Sequence, residues 1–543
     1  MVLEVETQYG RVRGSDDAGI RVFRGLRFAQ PPSDEQRFLP PAAPEPWTGT
    51  FDATQPGPAA PQMALPWFGW INAAAVAPGD DCLSLNVWTP AVDDGRRRPV
   101  LVWMHGGGFL VGSGSTGVYD GAALARRGDV VVVTVNYRLG AMGYAHLGLL
   151  FEGEEFQGCT NLGVRDQIAA LEWVRDNIDR FGGDPGKVTV FGQSAGAMSI
   201  AALLGAPRAR SLFHRAICMS GAAAHVLEPD EARVTAEAFI DKLGQPRPSS
   251  HKGLGWFPMD RLLRAQHETM MELSNMARMM VFLPVVDGDV IPEQPLDAIR
   301  RGAAADIPLL IGTTLDEWQL FRIFEEGPFA MKEEDLLTRF DEALDKGFEG
   351  APDAEVAVGE FRGALESRGT RARNGDVWIE FQSAREMHYP ATRLAEAQNE
   401  GGGTAHNYLF TWRPPTMRRA IGACHALDIP FVFGSVQHPL ARPLTGFTTS
   451  ASRLSQKIQQ AWIQFAHEGS PGHDRLPSWE PYETEERHTM VLGRRCGMDH
   501  APLEGERRLL ASWKGHETPE QASQGLHQSS IIERASAAVF SRA

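Results

Sequence analysis

The chain has 543 residues, 43% of them hydrophobic and 22% charged, with a formal net charge of −15. That apolar content can bury a large core, and the length equals roughly three or four average domains, although large α/β enzymes often use it as one. The acidic balance excludes a nucleic-acid surface, since the one dense basic run, Arg96-Arg97-Arg98, reads as a solvated turn before a strand.

The start, Met1-Val2-Leu3-Glu4-Val5-Glu6, lacks the basic and apolar segments of a secretory leader, and no later run reaches the ~18 apolar residues of a bilayer span. The expectation is a soluble, cytoplasmic protein without membrane insertion. The five cysteines are few, odd in number and widely spaced, and all but Cys496 sit where a buried thiol is the default reading. There is no H-E-x-x-H or C-x-x-C, and Cys496 with His500 is a single pair in a polar loop, so no metal is expected.

In chain order, Val100-Leu101-Val102-Trp103-Met104 predicts a buried strand that runs into His105-Gly106-Gly107-Gly108-Phe109. Three successive glycines leave backbone N–H groups unshielded, which suits them to an oxyanion; the plainer reading is a flexible loop. Gly112-Ser113-Gly114-Ser115-Thr116-Gly117 matches the G-x-G-x-x-G of dinucleotide-binding folds. The match fails on context, because residues 105–109 separate it from the preceding strand and the next strand ends in Asn136-Tyr137-Arg138, with no acid to hold a ribose. No cofactor is expected.

Residues 121–127 predict a short helix and 129–135 a fully buried strand. Val164, Ile168, Leu171, Val174, Ile178 and Phe181 recur at helical spacing and predict a long amphipathic helix ending at Gly182-Gly183. Lys187-Val188-Thr189-Val190 then leads into Phe191-Gly192-Gln193-Ser194-Ala195-Gly196, followed by a buried helix over 197–204. This is a G-x-S-x-G in strand-turn-helix context, where a sharp turn exposes the serine beside a helix N-terminus that tolerates negative charge. The β-α-β-α order implies right-handed crossovers and a mostly parallel sheet with helices on both faces, its chemistry at the carboxyl ends of the strands.

Taken together these residues resemble the type B carboxylesterase and cholinesterase family, of the α/β-hydrolase fold, from about Gly10 to about Trp513. Val22-Phe23-Arg24-Gly25-Leu26-Arg27-Phe28-Ala29-Gln30-Pro31-Pro32 is similar to the family's G-I-P-Y-A-x-P-P, and Asp80-Asp81-Cys82-Leu83-Ser84-Leu85-Asn86 to its E-D-C-L-x-L-N. Asn136-Tyr137-Arg138-Leu139-Gly140, Asn161-Leu162-Gly163-Val164-Arg165-Asp166-Gln167 and Phe181-Gly182-Gly183-Asp184-Pro185 also match.

The resemblance implies a serine carboxylesterase with a Ser194, Glu317, His425 triad. Glu317 closes Ile311-Gly312-Thr313-Thr314-Leu315-Asp316-Glu317, with Asp316 as its adjacent rival, and His425 opens a stretch like the family's H-x-x-(D/E)-x-P-F-V-F-G. Gly107, Gly108 and Ala195 would hold the oxyanion, a β-carbon on either glycine intruding on the substrate, while His105 would shape the loop. Arg37 with Asp80 and Arg138 with Asp166 match positions of internal salt bridges, and Ser220 sits where relatives keep a serine behind the triad.

Phe109, Gln193, Trp67 and Trp70 are the expected substrate-binding residues, and the methionines at 270, 271, 276, 279 and 280 either line an acyl pocket or belong to the core. Gln193 stands where cholinesterases carry a glutamate that attracts a cationic group, and no cysteine precedes Cys82 to close a disulfide there. The implied substrate is an uncharged ester. Carbamate or amide hydrolysis, or a non-catalytic interaction protein of the same fold, are the alternatives. The expected organisation is one hydrolase domain over 1–515 with helical insertions near 230–300 and 325–400, then a polar tail over 516–543, and the sequence leaves the oligomeric state open.

Overall fold

The computed structural model describes residues 3–63, 76–151, 153–244, 251–274, 279–324, 331–345, 348, 350–415 and 420–513. The strands are β1 (Glu4–Thr7), β2 (Gly10–Arg13), β3 (Ser15–Asp17), β4 (Ile20–Arg27), β5 (Thr50–Asp52), β6 (Ser84–Thr89), β7 (Arg98–Met104), β8 (Val131–Val135), β9 (Gly183–Gln193), β10 (Arg215–Met219), β11 (Leu309–Thr314), β12 (Ala405–Phe410), β13 (His488–Leu492) and β14 (Gly497–His500). Eleven of them form one sheet in the order β14-β13-β12-β11-β10-β9-β7-β8-β6-β4-β3, and β1, β2 and β5 form a small separate sheet.

Pairing is parallel from β8 through β7, β9, β10, β11 and β12 to β13, and antiparallel at both flanks. The centre of the sheet is the α/β-hydrolase arrangement. Its strands are apolar runs because both faces are covered: every residue of β7, β8 and β11 is buried. The helix Leu162–Asn177 buries its apolar stripe on one face and a short helical turn over Ile178–Phe181 carries it to Gly182, whose φ of 77° suits glycine. The helix Thr449–Glu468 covers the other face, capped by the Thr448 hydroxyl accepting from the Ala451 N–H.

Arg98 departs from the solvated turn expected of the basic run. It opens β7 with only 3% of its side chain exposed, because Asp94 and Asp129 both bind its guanidinium, whereas Arg96 and Arg97 are solvated. The two expected structural ion pairs also differ from each other. Arg138 and Asp166 are both fully buried and doubly hydrogen-bonded, Nε to Oδ2 at 2.8 Å and Nη2 to Oδ1 at 2.6 Å, while the Leu39 carbonyl accepts from Arg138 Nη1 at 2.6 Å. Asp80, 3.0 Å from Arg37, keeps 34% of its side chain in solvent.

The four cysteines expected to be buried are buried, and all five are free thiols. No helix among the described residues is long and apolar enough to cross a membrane.

Removing one partner of a fully buried pair leaves a charge without compensation, which costs roughly 3–5 kcal/mol, whereas water that reaches one partner, as it does Asp80, lowers that cost. Asp166→Asn is therefore expected to destabilise the fold severalfold more than Asp80→Asn in chemical denaturation; equal losses would contradict the assignment of Arg138 and Asp166 as the buried brace.

Candidate active site

Parallel register brings the ends of four strands together. Met104 of β7 lies opposite Gly192 of β9, Met219 of β10 opposite Gln193, and Gly312 of β11 opposite Met219. The segments that follow, 105–109, 194, 220 and 315–317, therefore share one edge of the sheet.

At the end of β9 the chain turns through Ser194, held at φ 56° and ψ −128°, into the helix Ala195–Leu204. A non-glycine residue in that region is strained, and it persists because its surroundings fix it: the Ser194 N–H donates to the Met219 carbonyl at 2.9 Å. Glycine at 196 is obligatory, since a β-carbon there would lie 2.0 Å from the Met104 carbonyl oxygen. The turn packs directly on the end of β7. Ala195 is the first helical residue, so its N–H has no intrahelical acceptor.

The glycine loop closes on the Gly107 carbonyl, which accepts from Leu110 and Val111 N–H, each at 3.1 Å. Gly107 has φ 118° and Gly108 φ 62°. A β-carbon on Gly107 would meet the Val111 carbonyl oxygen at 2.0 Å, and one on Gly108 would meet nothing within 4 Å. The loop's own backbone thus imposes a steric demand at Gly107. At Gly108 only the left-handed backbone disfavours a side chain.

His105 shapes this loop. Its ring stacks on Tyr137 with centroids 4.5 Å apart, its Nδ1–H donates to the Gly106 carbonyl, and its own carbonyl accepts from the Tyr137 hydroxyl at 2.5 Å. Burial pushes the imidazole pKa down to about 4, so it is neutral. Phe109, expected at the substrate, turns its ring fully into the core, edge-on to Tyr144. Its neighbours are core residues, and its backbone holds φ 61°.

Glu317 has no exposed surface, and its two oxygens are both held: Oε2 by His425 Nδ1 at 2.6 Å and Oε1 by the Thr314 N–H at 2.6 Å. Burial alone would raise its pKa, but the His425 charge and hydrogen bond, the adjacent Ser220 hydroxyl and His388 outweigh it and hold the carboxyl below its ordinary value. The Ser220 contact falls short of full hydrogen-bond geometry. His388 acts from behind, where its Nε2–H donates to the Thr314 carbonyl at 2.9 Å.

Asp316 points elsewhere. Arg413 binds it through Nε at 2.8 Å and Nη2 at 2.6 Å, and the Ala423 N–H donates to it at 2.6 Å. Backbone bonds from Asp316 N to the Ala423 carbonyl and from His425 N to the Glu317 carbonyl fasten the same two segments. Arg413 gave no sequence signal for this role, since its pairing spans 97 residues. Asp428, within the histidine motif, accepts from the Tyr408 hydroxyl at 3.0 Å, and burial, aided by the Glu317 charge, pushes its pKa up to about 7.

Among the described residues, the group hydrogen-bonded to His425 Nε2 is the buried Gln193 side-chain amide, at 3.1 Å, rather than Ser194. With Nδ1–H donated to Glu317, Nε2 carries the lone pair and Gln193 Nε2–H is the donor. Trp67 and Trp70, the other expected substrate contacts, and Met276 lie outside the described residues. Met270 is in the core, with Met280 packed against it.

Comparison with known proteins gives the family. The profile of the Carboxylesterase family matches residues 2–508. The chain is 37% identical over 513 residues to the para-nitrobenzyl esterase of Bacillus subtilis (strain 168), covering 94% of this chain and 99% of the relative. It is 35% identical to the phenmedipham hydrolase of Pseudarthrobacter oxydans, covering 90% and 94%. Among solved structures it is similar to a Geobacillus stearothermophilus carboxylesterase at pH 6.2, with TM-score 0.82, 38% identity, and coverage of 93% and 99%.

A short Nδ1–H···O⁻ bond deshields its proton, so a far-downfield resonance is expected in the proton spectrum. It should vanish or move upfield in Glu317→Gln and persist in Asp316→Asn. The reverse pattern would make Asp316 the partner of His425.

Proposed function

The chain belongs to the Carboxylesterase family, and on that premise we propose that Ser194, Glu317 and His425 are its catalytic triad, with Gly107, Gly108 and Ala195 as the oxyanion hole. Members of this family are serine carboxylesterases that work through an acyl-enzyme, and the chain's substrate is a small-molecule carboxylic ester. The observation that carries the residue assignment is the buried 2.6 Å bond from Glu317 to His425 beside the strained Ser194 turn.

In this reading His425 Nε2 takes the Ser194 proton as Oγ attacks the ester carbonyl, and returns it to the leaving alcohol. Glu317 holds the Nδ1–H tautomer and stabilises the imidazolium. Backbone N–H groups of Gly107, Gly108 and Ala195 meet the oxyanion, each worth roughly 3 kcal/mol in the transition state. Water then attacks the acyl-enzyme with His425 again as base. Gln193 occupies Nε2 in the resting structure, so its amide swings aside before the proton moves.

The substrates we propose are uncharged esters of moderate size, para-nitrobenzyl esters among them, on the strength of the Bacillus relative. Gln193 brings a dipole and no charge to the reacting centre, so a cationic ester gains little there. The five free thiols support a reducing, cytoplasmic setting. We also propose a single hydrolase domain over residues 1–515, the helices Pro229–Lys242, Met259–Leu273, Glu333–Asp345 and Ala354–Ser367 belonging to its two insertions.

The test is an ester panel at matched acyl chain, with a para-nitrobenzyl ester, an alkyl ester and a choline ester. We expect kcat/KM to be lower for the choline ester than for either neutral ester, and Gln193→Glu to shift the ratio toward choline by about tenfold. Ser194→Ala and His425→Ala should each lower kcat by about 10⁴-fold or more while the protein stays folded. Preference of the unaltered enzyme for the choline ester would overturn the specificity reading, and near-normal hydrolysis by Ser194→Ala the mechanism.

A further inference from the structure

At the end of the sheet order, β13 and β14 pair antiparallel with His488 directly opposite His500. Cross-strand partners point to the same face of a sheet, and here the two rings lie with centroids 5.0 Å apart at 67°. Glu486, two residues before His488, joins them, with its Oε2 3.5 Å from His500 Nδ1. The intervening Arg487 takes φ 50° and turns its guanidinium away, to Glu396 at 3.0 Å and the Tyr482 hydroxyl at 3.1 Å. One potential ligand atom from each of Glu486, His488 and His500 lies within 4.8 Å of the other two.

The protonation pattern suits a metal. His488 Nδ1 faces the Pro481 carbonyl at 3.1 Å. A carbonyl can only accept, so Nδ1 carries the proton and Nε2 the lone pair. An imidazole that ligates a metal through one nitrogen characteristically donates the other N–H to a carbonyl in this way. Metal–nitrogen and metal–oxygen bonds of ~2.0–2.2 Å bring tetrahedral ligand atoms to roughly 3.5 Å from one another. Closing from 4.8 Å needs only small rotations of side chains that are at the surface.

We propose that Glu486, His488 and His500 form a binding site for a divalent transition cation of the zinc, nickel or copper class, with solvent completing its coordination. Two imidazoles and one carboxylate select these ions over magnesium or calcium, which prefer all-oxygen shells. The bound ion would staple β14 to β13 and to the segment before it. That segment also reaches the helix Glu504–Ser512, because Arg487 pairs with Glu504 at 3.4 Å.

The site stands apart from ester hydrolysis. His488 opens β13, which runs parallel to β12 and onward to β9, so it lies at the amino ends of the strands. Ser194 and Glu317 follow the carboxyl ends. His500, read from sequence as the neighbour of Cys496, is instead the partner of His488, and the Cys496 thiol turns to the Gly493 carbonyl.

The experiment is calorimetric titration of the untagged full-length chain, stripped with chelator, with zinc chloride and separately with nickel chloride and magnesium chloride. One zinc or nickel ion per chain is expected, in the micromolar range, with no magnesium binding. His488→Ala and His500→Ala should each weaken the zinc affinity by at least about tenfold, and Glu486→Gln by less. All three variants should keep unaltered kcat on a neutral ester, which also establishes that they are folded. Absence of zinc and nickel binding, or zinc binding of the same affinity and stoichiometry in both histidine variants, would overturn the proposal.

Discussion

The sheet edge that carries the candidate site is organised around a carboxylate with no exposed surface. Taking an ionised Glu317 out of water costs several kcal/mol, and the structure meets that cost with His425 Nδ1 on one oxygen and the Thr314 N–H on the other, both at 2.6 Å. Because those two donors are fixed, the imidazole has one tautomer and one orientation, and its Nε2 accepts from the amide of Gln193, the residue before Ser194. Asp316, one residue away, does a different job: bound by Arg413 and the Ala423 N–H, it clamps the histidine segment to the acid turn. Adjacent carboxylates of the same charge are kept useful by being sent to opposite partners.

That pair depends in turn on the register of the parallel strands. The Ser194 and Glu317 turns belong to strands separated in the sheet only by β10, and Ser220 at the end of β10 fills the space between them. Two backbone collisions fix the turns. A side chain at 196 would strike the Met104 carbonyl and one at 107 the Val111 carbonyl, so the glycines permit the close approach of loop to elbow. His105, neutral in the core and stacked on Tyr137, carries the same loop from below. The Arg138–Asp166 pair braces the next layer, holding Leu39's carbonyl and the start of the long helix to the loop after β8.

Much of this was legible along the chain because it is written in local patterns. Strand-loop-helix alternation, the glycine runs and the apolar periodicity of the long helix each need only neighbouring residues, and the family resemblance supplied Glu317 and His425 from their motifs. What could not be read depends on contacts across long separations. Gly107 is required by the Val111 carbonyl. Phe109 turns inward onto Tyr144, and Arg98 is buried because Asp94 and Asp129 bind it. The Gln193 amide reaches His425 across 232 residues, and the partnership of His488 with His500 follows from strand register, which no linear spacing reveals.

The central claim is that one buried carboxylate–imidazole pair activates Ser194, and covalent labelling of the nucleophile tests it most directly. The protein would be treated with a fluorophosphonate, digested and read by mass spectrometry, in parallel with Glu317→Gln. The account predicts a single adduct, on Ser194, formed much more slowly in the variant. An adduct on another residue, or ester hydrolysis by folded protein in which Ser194 stays unlabelled, would contradict it.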